Sequence, residues 1–340
     1  MATTVTHIVD PDSGAGYDYD SLFDWEVGEQ GDLTGVRDEI SVAKCQCTGG
    51  TADTTAVTID GWITSTTQYI KIWTDPAESY RHNGTYQTGN KYRLEVTNAV
   101  AIIAYNEDYG RIFGLQFYTL TPTGNGKNGL TFDGLEVGRL EVAYNIFRGH
   151  GSASYTQGLI VINETNNTIY IWNNILYPGC TTVNTYCIGV SNATDIYLYN
   201  NTIVGGDYNI LLASGILTTF NNIYQGATYA AVYCFGTGSV AAASDYNATN
   251  RNAFGFTANT HDHVSHTFTF VGAADFHLAS TDVGAIDLGV SDPGSGLFSD
   301  DIDGVTRGAT WDIGADEYVA AVSAISISIS ESLAFAEALD

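Results

Sequence analysis

The feature that most constrains this chain is a short phrase that occurs four times between residues 144 and 226: Tyr144-Asn145-Ile146-Phe147, Trp172-Asn173-Asn174-Ile175, Tyr199-Asn200-Asn201-Thr202-Ile203 and Phe220-Asn221-Asn222-Ile223. Each places an aromatic residue before Asn and an aliphatic residue after it. With Asn145, Asn173, Asn200 and Asn221 as equivalent marks, the intervals are 28, 27 and 21 residues, in the range that signals stacked repeats. Ile169-Tyr170-Ile171-Trp172 and Ile196-Tyr197-Leu198-Tyr199 alternate with period two, a strand pattern and not a helical one. The unit is therefore a β-coil and the chain a solenoid. Coils stacked about 4.8 Å apart are expected to set Asn145, Asn173, Asn200 and Asn221 in one ladder, amide to amide. Asn also tolerates the left-handed backbone that a sharp corner demands.

Composition suits many short strands joined by tight turns: 37 Gly, 22 Tyr and 14 Phe against 5 Pro in 340 residues. No segment has the apolar length of a membrane span. Asp and Glu number 38 against 12 Lys and Arg, a net charge of −26. That excess argues against nucleic acid, anionic membrane and acidic polysaccharide as partners. Ten acids, from Asp10 to Glu39, face only Arg37 in the first forty residues. Ca²⁺ is the one ion such acid-rich ends could take; otherwise no cofactor and no metal ligand is expected, a solvated anionic surface being the simpler reading. The opening Met1–His7 has neither a basic nor an apolar signal region. The expected location is a virion surface, or otherwise extracellular by another route.

Five cysteines, Cys45, Cys47, Cys180, Cys187 and Cys234, leave at least one outside any internal pairing. Cys45 and Cys47 share a strand face and read as buried thiols. Cys180 and Cys187 flank a turn and would close a loop in an oxidising compartment.

In chain order, residues 1–40 read as an irregular acidic N-terminal cap with one short helix near Ser21–Glu26, Ser21 serving as N-cap and Asp24 completing a capping-box-like pattern. Residues 41–260 read as the parallel coils, seven or more of them. Strands are predicted at 39–43, 56–59, 69–73, 92–96 and 99–105, separated by turns such as Asn83-Gly84 and Asn125-Gly126. Residues 261–318 read as a C-terminal capping segment and 319–340 as an assembly arm.

The run Phe268–Val271, Asp275–Leu278, Gly284–Gly289, Asp301–Arg307 and Asp312–Tyr318, with Ser244-Asp245-Tyr246-Asn247 before it, resembles the closing segment of right-handed parallel β-helix proteins of the pectate-lyase-like superfamily. Trp25-Glu26, Val57–Trp62 and Arg81-His82-Asn83-Gly84 resemble the opening of uncharacterised members found in phage and environmental sequences. The resemblance implies an all-β, right-handed parallel β-helix. It implies no single activity, because that superfamily holds lyases, hydrolases, epimerases, tailspikes and inert scaffolds.

A lyase-like chemistry in that superfamily implies Ca²⁺-holding acids beside an Arg or Lys base; a galacturonase-like one implies two or three Asp on adjacent strands. The coils offer Asp133, Glu136, Arg139, Glu141, Arg148, Asp195 and Asp207, with no Asp pair and no recurrent basic partner. Asp195 and Glu141 read as ordinary outward positions, so no catalytic residue is assigned. His261-Asp262-His263 with His266 reads as a polar loop in place of a metal site. Asp301-Ile302-Asp303-Gly304 lacks the Glu of a Ca²⁺ loop and reads as a turn that Arg307 ties down through a carboxylate.

Ile325, Ile327 and Ile329 alternate with Ser in the tail, an apolar-faced strand suited to pairing with a neighbour. The expected function is a non-enzymatic structural protein on a virion, a capsid decoration or fibre subunit. Its expected partners are further copies of itself (a trimer), other virion proteins through the termini, and surface glycans through Tyr and Trp. A polysaccharide-acting enzyme and a secreted bacterial adhesin are the competing classes.

Overall fold

The computed structural model describes residues 2–120, 126–133, 138–150, 158–163, 167–178, 185–192 and 195–320. The proposed arm residues Ile325, Ile327 and Ile329, together with Glu136 and Cys180, lie outside the described residues.

Three parallel sheets wrap one core, and the chain visits them in rotation. The first sheet holds nine strands, in order Thr3–Val9, Glu39–Cys45, Ile70–Trp73, Tyr109–Phe113, Arg139–Ala143, Thr168–Trp172, Asp195–Tyr199, Ile216–Phe220 and Ser239–Val240. The second runs through Leu94–Thr97, Gln116–Leu120, Ile146–Arg148, Ile175–Tyr177, Thr202–Val204, Ile223–Gln225 and Ala248–Thr249. The third runs through Val57–Ile59, Ala101–Tyr105, Asn128–Phe132, Gly158–Ile162, Tyr186–Val190, Tyr208–Leu212 and Ala230–Cys234. Every strand pairs in parallel with its equivalent one coil away, which makes the chain a right-handed parallel β-helix. The period-two pattern has its physical reason here: Ile112, Leu140, Val142, Ile169, Ile171, Ile196, Leu198 and Leu217 are all at most 1% exposed, stacked inside the tube, while their neighbours point outward.

From Phe113 onward the corner between the first and second sheets is two residues long. Its first position takes a positive φ: Gly114, Tyr144, Asn173, Asn200, Asn221 and Tyr246, between 50° and 74°. Its second position points inward, and there the ladder forms. Asn145, Asn174, Asn201, Asn222 and Asn247 are fully buried. Asn145 Oδ1 accepts Leu115 N at 2.8 Å, and from Asn174 on the Oδ1 accepts the backbone N–H and the side-chain amide of the preceding asparagine: 2.9 and 3.1 Å for Asn174, 3.0 and 3.0 Å for Asn201, 2.8 and 2.9 Å for Asn222. Each Nδ2 also donates to a strand carbonyl one coil back, such as Val142, Ile171 and Leu198, at 2.9 Å.

The column predicted through Asn145, Asn173, Asn200 and Asn221 is therefore corrected by one residue in three coils. Asn145 stands in the inner column. Asn173, Asn200 and Asn221 share the outer, left-handed column with Tyr144, and within it Asn221 Nδ2 donates to Asn200 Oδ1 at 3.2 Å, an amide-to-amide pair of the predicted column. Two adjacent corner residues point to opposite sides, so the corner conformation and the ladder are divided between them. The ladder ends at Asp262, whose Oδ1 accepts Asn247 N at 2.8 Å and Nδ2 at 3.2 Å.

Residues 1–40 are less irregular than predicted, since Thr3–Val9 pairs in parallel with Glu39–Cys45 and extends the first sheet. The helix spans Leu22–Glu29, and the Ser21 hydroxyl accepts Asp24 N at 3.0 Å. Asp53 adds a second cap, accepting Leu22 N at 2.8 Å and the Tyr92 hydroxyl at 2.9 Å. Leu22, Trp25 and Leu33 are fully buried over the end of the core. Trp25 stacks on Trp62 with ring centres 5.3 Å apart. Glu26 accepts Trp62 Nε1 and Asp60 N, and Glu107 accepts Trp62 N at 2.8 Å. Burial pushes both carboxyls up to about 7.

The segment 265–318 does more than cap the terminal coil. It folds back along the corner columns as a lateral strap, because the outer corner amides and carbonyls offer it hydrogen bonds at each coil. Asn221 Nδ2 donates to Val290 O, Asn200 Nδ2 to Asp312 O and Gly314 O, and Asn173 Nδ2 to Asp300 O. Farther back, Arg81 donates to Ile302 O across 221 residues of sequence. Phe298 and Trp311 roof Trp172 and Tyr199, with Phe298 6.0 Å from Trp172. Arg307 is buried and does meet a carboxylate, Glu317 at 3.2 Å, while also donating to Asn173 Oδ1 at 2.9 Å.

Cys45 and Cys47 are buried free thiols, as read; burial raises both, Cys47 to about 11.

Asn201→Leu is expected to leave Asn174 N unpaired in the core, while Asn174 Nδ2 keeps only its strand carbonyls, and to cost about 1–3 kcal/mol, read as a lower chemical-denaturation midpoint. Asn200→Gly, which keeps the corner conformation, is expected to cost less; equal losses would contradict the assignment of the two columns. A second expectation concerns pH. Glu26 and Glu107 ionise near 4.5 when unfolded and near 7 when folded, so the unfolded state releases protons first and their stability contribution, whole below about pH 4.5, is lost as pH rises through 7. The midpoint should fall between pH 5 and 7.5, and Glu26→Gln should shrink that fall in a urea series at the two pH values.

Candidate functional site

The outward face of the first sheet carries a set of stacked aromatic and basic side chains. Strand registers set them in three rows across the coils. One row is Tyr109, Arg139, Thr168, Asp195 and Ile216; the next is Lys71, Arg111, Glu141, Tyr170, Tyr197 and Thr218; the third is Trp73, Phe113, Ala143, Trp172, Tyr199 and Phe220. The strap covers much of the third row, and the other two line the open face beside it.

Within that face each cation lies on a ring: Lys71 Nζ is 3.3 Å from the Trp73 centroid, Arg111 4.0 Å from Tyr69 and Arg139 4.3 Å from Tyr170. Tyr170 and Tyr197 stack with centroids 4.9 Å apart and planes 13° from parallel. Such contacts hold flat rings and forked donors in place before any ligand arrives. Glu141, predicted as an ordinary outward residue, is nearly buried because two guanidiniums cover it. Arg139 Nε meets Oε1 at 2.6 Å and Arg111 Nε meets Oε2 at 3.1 Å. Burial, with Arg111 beside it, brings Lys71 down to about 8. A cleft lined by Thr66, Tyr69, Tyr109, Arg111, Arg139 and Glu141 opens here.

Of the other described acids and bases singled out from the sequence, Asp195 lies on this face and the rest do not. Asp133 accepts Asn163 Nδ2 at 2.6 Å beside the third sheet. Arg148 lies on the second sheet, 4.4 Å over Tyr118. Asp207 accepts the Thr228 hydroxyl at 2.6 Å. Asp195 is in the first row, two coils from Arg139. At the N-terminal end, Asp10 and Asp12 accept backbone N–H groups of Gly14, Thr48, Gly49 and Thr51, which makes them loop ties. The histidines of the polar loop take separate tasks: His261 meets Asp245 at 2.8 Å and stacks on Tyr246, while His263 packs against His266.

Arg111, Tyr69, Tyr170 and Tyr197 were not singled out as a group from the sequence. The signal that finds them is the strand register, since only residues one coil apart become neighbours.

No protein-family profile matches this sequence, and no curated protein does. Among solved structures, the crystal structure of pectate lyase Pel9A is similar at 11% identity and a TM-score of 0.31, over 93% of this chain and 97% of that one.

Proposed function

We propose that this chain is a non-enzymatic structural protein that holds glycans along the outward face of its first sheet and is displayed on a virion as a decoration or appendage subunit. The observation that carries the glycan reading is the Tyr170–Tyr197 stack flanked by Arg139. Flat, half-buried rings offer a sugar's C–H face an apolar bed, and the neighbouring guanidinium and phenol groups offer its hydroxyls hydrogen bonds. The non-enzymatic reading rests on the same face: Glu141 is held by two arginines, and Asp133 and Asp207 lie on other sides of the tube. Virion display is supported by the resemblance of Trp25-Glu26, Val57–Trp62 and Arg81–Gly84 to phage-type openings. The alternating tail supports self-assembly, with a trimer as the proposed state.

Isothermal titration of neutral and acidic oligosaccharides tests the glycan reading. Tyr170→Ala and Tyr197→Ala are expected to weaken binding about tenfold each, equivalent to about 1.4 kcal/mol, with melting temperature unchanged. Absence of binding to the whole panel would overturn it, and shortened or unsaturated products would instead establish an enzyme. Deleting residues 319–340 is expected to leave circular dichroism intact and reduce the mass seen by light scattering to that of a monomer; an unchanged mass would remove the tail from assembly.

A further inference from the structure

Where the strap reaches the turn that follows Trp73, three side chains from three separate turns converge. We propose that His277, Asp303 and Asp316 form a binding site for a divalent transition-metal ion of the Zn²⁺ type. This inference is independent of the glycan face.

One ligand atom from each of the three lies within 4.8 Å of the others. Closing onto a single ion with bonds of about 2.0–2.2 Å asks the farthest pair to approach to about 3.5 Å, a shift that side-chain rotation supplies. His277 is already oriented for the task. Its Nδ1 meets Asp275 Oδ1 at 2.5 Å, leaving Nε2 to face Asp303 Oδ2 at 2.9 Å. A carboxylate behind an imidazole, fixing its tautomer and raising its basicity, is the arrangement that supports metal-bound histidine. In the metal-free chain the Nε2 proton bridges to Asp303, and that proton is what the ion replaces.

The second and independent observation is Asp316. It is only 6% exposed, yet its carboxylate accepts a single hydrogen bond among the described residues, from Leu278 N at 2.7 Å to Oδ2. One of its oxygens lies within 4.8 Å of a ligand atom of His277 and of Asp303. Burying a carboxylate with half its capacity unused is costly unless a cation meets it. The fixed cations in this region are turned elsewhere: Arg81 donates to Ile302 O and lies 4.7 Å over the Tyr144 ring, and Arg307 meets Glu317. Three carboxyl groups therefore face one imidazole.

The backbone holds the donors in place. Asp301 accepts Asp303 N and Val305 N at 2.9 and 2.8 Å and Glu317 N at 3.0 Å, which pins both the turn bearing Asp303 and the segment bearing Asp316. Gly84, at φ 78°, supplies bare backbone on the remaining side, where a Cβ would strike His277 Nε2 and Asp303 Oδ1. Asp303 is exposed and gives the ion its route in. One imidazole nitrogen with two carboxylate oxygens selects a borderline ion over Ca²⁺, which prefers an all-oxygen shell.

The test uses the full chain after chelator treatment, titrated calorimetrically with ZnCl₂ at neutral pH, with Co²⁺ absorption as a second readout. One equivalent of Zn²⁺ is expected to bind and raise the melting temperature, and Co²⁺ is expected to show visible bands. Asp316→Asn, which keeps the bond to Leu278 N, should weaken Zn²⁺ at least tenfold and abolish the Co²⁺ bands while circular dichroism stays unchanged. Failure to bind stoichiometrically would overturn the proposal and leave an imidazolium–carboxylate clasp. Binding that survives unchanged in both Asp316→Asn and His277→Gln would also overturn it, placing the ion elsewhere, as at His263 and His266.

Discussion

The structure depends on keeping a tight corner dry. A two-residue turn between parallel strands buries backbone N–H and C=O groups that neither sheet can pair, and each would cost about 1–3 kcal/mol if left so. Asparagine solves this because one side chain carries both an acceptor and two donors. Asn145, Asn174, Asn201, Asn222 and Asn247 pair these groups coil after coil, and Asp262 closes the column with an acceptor where no further amide follows. The ladder also sets the register: a coil that slipped by one residue would turn its amide outward and its left-handed residue inward.

The outer half of the same corner makes the strap possible. Asn173, Asn200 and Asn221, held at positive φ, present their amides to the surface, and carbonyls of residues 290–314 take them up. The aromatic residue before each corner then becomes a floor on which Phe298 and Trp311 rest. One repeated phrase thus serves three layers: a core ladder, a surface dock and an aromatic bed.

The strap divides the first sheet's outer surface into a covered row and an open face. On the open face Arg111, Arg139 and Glu141 immobilise one another, and ring stacking fixes the tyrosines beside them. Preorganisation of this kind lowers the entropy lost when a ligand is held. At the strap's far end, the carboxylates of Asp303 and Asp316 lie around His277, beside the Gly84 turn.

Much of this was legible in the residues alone. The repeated aromatic-Asn phrase and the alternation in Ile169–Trp172 specify β-coils, because a period of two and a period near 27 have few other physical readings. Ser21 as N-cap and the tie between Arg307 and a carboxylate were legible as local chemistry. The inner register was not, because Tyr144-Asn145 and Trp172-Asn173-Asn174 look alike until backbone pairing shows which corner residue points inward. Nor was the convergence of Gly84 with His277, or of Arg81 with Ile302, since contacts between segments about two hundred residues apart leave no trace in local periodicity. The sequence by itself determined the repeat, the strand faces and the acidic surface, because these follow from side-chain chemistry at fixed spacing. Only the tertiary structure decided which outward residues meet, because neighbours across coils are set by the hydrogen-bond register and the path of the strap.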